Sequence, residues 1–247
     1  MPADNCSALF VTGTDTGVGK SLVAAALARY ACRLGLRVAV MKPCETGVED
    51  PAGLGADGEL LRWAAGSDAA IDLISPYRLA APLSPAQAAT QAGVIIDPGV
   101  IISACQELAK DHDLLVVEGA GGLMVPIRGG YLMADLAREL RLPLLVVCRP
   151  GLGTINHTLL TVYAARCMEL PLAGFMINRM PAQPGPAERE APHLLAALAS
   201  ADLLGVLPEV GGTAREQVEQ LADAITALPS RPWLHQALGL PANTGQN

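Results

Sequence analysis

Short apolar runs punctuate the chain. Phe10-Val11-Thr12, Arg37 to Met41, Leu114-Leu115-Val116-Val117, Leu144-Leu145-Val146-Val147, Leu172 to Ile177 and Leu203 to Leu207 show little polar alternation. That is the pattern of strands covered on both faces. Between them, apolar positions fall three and four residues apart. Val23, Leu27, Tyr30, Ala31 and Leu34 predict a helix over 19–34, with Gly35 placed to end it. Further helical stretches are expected at about 84–92, 98–110, 132–141, 154–169, 187–200 and 213–227. Strands alternating with helices predict an α/β fold with a mostly parallel sheet and helices on both faces. The Pro- and Gly-rich stretch Pro181 to Pro192 reads as a surface loop. The chain is expected to form a single domain over 1–247, with the tail Pro241 to Asn247 frayed.

In open parallel sheets ligands gather at the carboxyl ends of strands, so the residues after each apolar run carry the chemistry. After the first run comes Gly13-Thr14-Asp15-Thr16-Gly17-Val18-Gly19-Lys20-Ser21. Strand, Gly-rich turn and Gly-Lys-Ser helix start form the layout of a phosphate-binding P-loop: backbone N–H groups and the positive helix end face phosphate, Lys20 adds a charge, and Ser21 suits Mg²⁺. Thr14 stands where the general G-x-x-x-x-G-K-[ST] pattern has Gly. The fold expected is therefore P-loop NTPase-like.

Other strand ends are chemically marked too. Glu118 follows four apolar residues and precedes Gly119-Ala120-Gly121-Gly122, which fits a Walker-B acid holding Mg²⁺ or a carboxylate capping a glycine turn. Lys42 could stabilise a transferring phosphoryl group or be an exposed strand-end lysine. Asp57 could cap the helical stretch 57–65 or reach a metal, and capping is favoured by the pattern alone. Asn178 ends the fifth run and Pro208-Glu209 the sixth.

Composition narrows the partners. The 247 residues carry a net charge of −7 and no Lys/Arg run, which argues against a nucleic-acid surface. No signal peptide or membrane span is recognisable at the N-terminus, so residence is expected to be cytoplasmic. Six scattered cysteines without a C-x-x-C pair read as reduced small hydrophobes, and the four histidines lack metal-ligand spacing.

Five blocks in order carry a resemblance: Gly13 to Ser21, Lys42-Pro43-Cys44-Glu45-Thr46-Gly47, Ser84-Pro85, Val117 to Gly122, and Leu152-Gly153-Thr154-Ile155-Asn156-His157. Over residues 8 to 210 the chain resembles dethiobiotin synthetase, including Thr14 in the P-loop. The resemblance implies an ATP-dependent ligase that makes dethiobiotin from 7,8-diaminopelargonic acid and CO₂ with Mg²⁺, through a carbamate that attacks the γ-phosphate. Carried over by position, Lys20, Lys42 and Thr16 would act on the phosphates and carbamate. Ser21, Asp57 and Glu118 would hold the metal, which raises Asp57 above its capping role. Asp15, Gly17, Val18, Gly19, Gly119, Ala120, Gly121, Asn178, Arg179 and Pro208 would line the nucleotide site. Asn178 would bond the purine, although the family often has Asn-Asp where this chain has Asn178-Arg179. Thr46, Gly153, Thr154 and Asn156 would face the diamine substrate, the last three across a homodimer interface. Two other readings use the same fold. A cobyrinic-acid-synthase-type amidoligase would commonly carry a glutaminase domain, for which there is no room after residue 210. A partitioning-type ATPase switch would have Lys where this chain has Asp15.

Overall fold

A computed structural model describes residues 6–240, so the expectation for 241–247 lies outside the described residues. Along the chain lie β1 (Ser7–Gly13), α1 (Lys20–Arg33), β2 (Val38–Met41), β3 (Cys44–Thr46), α2 (Ala56–Ala65), α3 (Ile71–Ile74), β4 (Tyr77–Leu79), α4 (Pro85–Ala92) and α5 (Pro98–Ala109). There follow β5 (Leu114–Gly122), β6 (Pro126–Arg128), β7 (Tyr131–Leu132), α6 (Met133–Leu140), β8 (Leu144–Cys148), α7 (Thr154–Cys167), β9 (Leu172–Met180), α8 (Pro186–Leu198), β10 (Leu203–Pro208), α9 (Ala214–Thr226) and α10 (Arg231–Ala237). Six strands form one parallel sheet in the order β10-β9-β8-β1-β5-β2.

Successive strand residues point to opposite faces, and the core divides accordingly. Leu9, Val11, Val38, Val40, Leu114 and Val116 face α1, α2 and α9. Phe10, Ala39, Met41, Leu115 and Val117 face α5 and α6. At the other end of the sheet, Val146, Cys148, Phe175 and Ile177 pack with Leu195 and Ala199 beside α8.

Strand order sets the site. β5 lies between β1 and β2, so the ends of β1 and β2 are not direct neighbours. Met41 pairs with Val117 and Val11 with Glu118, so the residue after β2, Lys42, falls opposite Glu118. The register itself delivers the ammonium to the carboxylate.

Several boundaries differ from expectation. β5 continues through Glu118 to Gly122 and β9 through Asn178 and Arg179 to Met180, so these residues lie within strands and not after them. Gly119 stays close-packed because a Cβ there would come 2.9 Å from the Phe10 ring. The stretch 181–192 is not wholly loop: α8 starts at Pro186 and passes through Pro192. Proline at the first turn costs no helical hydrogen bond, and burial of Ala191 and Leu195 offsets the one lost at Pro192. Helix α2 is braced by Trp63, whose ring centroid lies 5.4 Å from the guanidinium carbon of Arg29 in α1 and 5.2 Å from that of Arg215 in α9.

Candidate active site

The P-loop turns on two glycines in the left-handed region, Gly17 (φ 78°) and Gly19 (φ 91°). Space around them differs. Gly17 is open, whereas a Cβ on Gly19 would meet the Asn178 amide nitrogen at 2.2 Å. Asn178 is buried, and its Nδ2 donates to the Val18 carbonyl at 3.1 Å, tying β9 to the loop. Its Oδ1 is buried without a partner, an acceptor suited to an amino group such as that of adenine. Arg179 is exposed and donates from Nη1 to the Gly17 carbonyl at 2.9 Å. Lys20 is buried, with Nζ on the Asp15 carbonyl at 3.0 Å, and burial lowers its pKa.

Beside the loop, Lys42 is only 4% exposed, which excludes a surface lysine. Its Nζ donates to Asp57 Oδ2 and Glu118 Oε1, both at 2.6 Å. Burial opposes its charge, but the two carboxylates outweigh burial and raise its pKa above the ordinary lysine value. Asp57 is likewise penalised by burial and is held low chiefly by Lys42. Ser21 donates to Glu118 Oε1 at 2.8 Å, and Glu118 Oε2 is buried without a partner.

Asp57 does not cap its helix. Gly55 occupies the N-cap position, and the capping carboxylate comes from Glu45 of β3. It accepts from the N–H groups of Gly55 (3.0 Å), Asp57 (2.8 Å) and Gly58 (3.1 Å). Sequence reasoning assigned Glu45 nothing, because a cap arriving from another element leaves no local capping pattern; the glycines at 55 and 58 were the available signal. Cys44 is fully buried in the core and its thiol is pushed up to about 12 by burial, so it is neutral at neutral pH.

These groups open on a cleft of about 540 Å³. Thr16, Gly17, Gly19, Lys20, Ser21, Lys42, Thr46, Asp57, Glu118, Ala120, Gly121 and Arg179 line it, together with Leu60 of α2 and Ala214 and Gln217 of α9. Asp15, Val18, Gly119, Asn178 and Pro208 are not in its lining, although Asn178 and Val18 support the loop from behind. Pro208 is exposed at the end of β10. Gly153, Thr154 and Asn156 stand apart at the start of α7. Gly153 and Asn156 are exposed, whereas Thr154 is buried with its hydroxyl unpartnered.

Comparison with known proteins discriminates among the chemistries such a cleft permits. A family model described as an AAA domain matches residues 7–217. The ATP-dependent dethiobiotin synthetase of Anaeromyxobacter dehalogenans (strain 2CP-C) is 46% identical over 200 residues, covering 81% of this chain and 89% of that protein. Those of Thermodesulfovibrio yellowstonii and Bacillus subtilis (strain 168) are 40% and 36% identical, covering 86% and 85% of this chain and 93% and 90% of theirs. The chain belongs to the dethiobiotin synthetase family. Among solved structures, the MinC:MinD cell division complex of Aquifex aeolicus aligns with TM-score 0.61 at 14% identity, covering 98% of this chain and 99% of that one. The septum site-determining protein MinD of Pyrococcus horikoshii, complexed with Mg-ADP, aligns at 0.56 and 16% identity, covering 94% and 93%. These likenesses show that the dethiobiotin synthetase family member has the P-loop ATPase fold.

Proposed function

We propose that this dethiobiotin synthetase family member closes the cyclic urea of dethiobiotin from 7,8-diaminopelargonic acid, CO₂ and ATP at the cleft between the P-loop and Lys42. One amine adds to CO₂ and loses a proton to give a carbamate. A carbamate oxygen attacks the γ-phosphorus as the bond to ADP breaks, and the second amine attacks the carbamoyl carbon, expelling phosphate. Such phosphoryl transfer needs mainly positioning and charge stabilisation. The observation that carries the reading is the convergence of Lys42, Asp57, Glu118 and Ser21 beside the P-loop.

The residues have separate tasks. P-loop N–H groups, Thr16 and Lys20 hold the phosphates. Lys42, kept protonated by its carboxylates, holds the carbamate and offsets charge on the transferring group. Thr46 faces the amine end of the diamine. The residues fit Mg²⁺: Ser21, Asp57 and Glu118 would hold it, and the unpartnered Glu118 Oε2 is a hard oxygen donor awaiting a cation. Among the described residues no group of three or more His, Cys, Asp or Glu forms a metal cage. When bound, Mg²⁺ supplies positive charge to the phosphate oxygens. Asn178 Oδ1 supports adenine as the base. The exposed Gly153 and Asn156 support a homodimer in which the partner's α7 start completes the diamine site. No helix among the described residues is long and apolar enough to cross a membrane, and cytoplasmic residence suits these substrates.

Phosphate release measures the reading directly. It should require the diamine and bicarbonate together with MgATP, because the nucleophile is the carbamate. Rapid ATP hydrolysis with neither present would point instead to a nucleotide switch of the kind whose fold this chain shares.

A further inference from the structure

Glu45 is 4% exposed and sits between Cys44 and Thr46 in β3, yet the chemistry above gives it no task. Its two oxygens accept three backbone N–H groups at the start of α2, a helix whose own N-cap, Gly55, has no side chain to offer. The room for this contact is built in. A Cβ on Gly55 would lie 2.5 Å from Glu45 Oε1, and one on Gly58 2.8 Å from Oε2. One of the three N–H groups belongs to Asp57, whose carboxylate reaches Lys42 at 2.6 Å. Lys42, just after β2, and Glu45, within β3, lie three residues apart, so one short segment carries both the ammonium and the carboxylate that fixes its partner.

We infer that Glu45 is a positioning residue: by gripping the first turn of α2 it sets where the Asp57 carboxylate stands relative to Lys42 and the Mg²⁺ site. The inference rests on the reading of Asp57 as a metal ligand. A neutral amide at position 45 would keep one acceptor oxygen but turn a donor group toward a backbone donor, which loosens the grip on the first turn of α2. Because supporting groups that orient a ligand typically govern about 10-fold or more of metal affinity, the effect should be visible in binding as well as turnover.

The test uses the full chain with ADP and Mn²⁺ as a paramagnetic stand-in for Mg²⁺, read by electron paramagnetic resonance, with melting temperature recorded in parallel. Glu45→Gln should weaken Mn²⁺ binding in the presence of ADP by roughly 10-fold, while ADP affinity without metal changes little. Gly55→Ala keeps the charge but pushes Glu45 aside, and should show the same loss. Asp57→Asn serves as the reference. If Asp57→Asn loses Mn²⁺ while Glu45→Gln and Gly55→Ala bind it as the unaltered chain does, the inference is overturned, even where their melting temperatures fall, because Glu45 then only caps a helix. If Asp57→Asn itself binds Mn²⁺ normally, the metal role of Asp57 fails and takes the inference with it.

Discussion

At the scale of single residues, Lys42 concentrates the account. Its ammonium is buried between two carboxylates, so its removal acts twice. Lys42→Ala should lower turnover by about 100-fold or more through loss of a preorganised charge. It should also destabilise the protein, by an amount approaching the roughly 3–5 kcal/mol typical of breaking a buried pair, since Glu118 is left fully buried without its cation. Urea denaturation without Mg²⁺ measures the second effect, and unchanged stability would mean that water replaces the ammonium freely. Of the two readings open for a strand-end lysine, the register with Glu118 excludes the exposed one. Lys42 and Glu118 were legible because each follows an apolar run directly, and Lys20 and Ser21 because they close the glycine-rich loop motif. Glu45 was not, since its partners lie 10 to 13 residues away with no periodic trace.

At the scale of elements, the P-loop shows how backbone shape becomes binding capacity. Gly17 and Gly19 both need positive φ, but only Gly19 is also pressed against Asn178. Forcing a side chain into the left-handed region costs on the order of 1–3 kcal/mol. Gly17→Ala should therefore weaken ADP binding moderately, and Gly19→Ala more, because it also dislodges the Asn178 amide that ties β9 to the loop. Isothermal titration with ADP ranks the two, and equal losses would remove Asn178 from the loop's support. The long strands and helices were legible because burial imposes continuous apolar runs on the first and a three-to-four-residue period on the second. The short β3, β4, β6, β7, α3 and α10 were not, since segments of two to seven residues hold too few positions to show one. Pro192 departs from its loop expectation for a related reason: local propensity disfavours a helix there, whereas the packing of Ala191 and Leu195 decides.

At the scale of the whole molecule, the cleft of a single chain lacks the start of α7. The proposed dimer supplies it from the partner. Asn156→Ala and Lys42→Ala homodimers should each be nearly inactive, whereas subunits mixed under exchange should recover about a quarter of the activity, one intact site in half of the dimers. A mixture as inactive as its parents, despite demonstrated exchange, would rule out shared sites. The central claim, that this cleft uses ATP to join CO₂ to a diamine, is tested most directly by following carbon. With ¹³C-bicarbonate, diaminopelargonic acid and MgATP, the label should appear in the ureido carbon of dethiobiotin with one ADP formed per product. ADP formation at full rate without labelled product would contradict it.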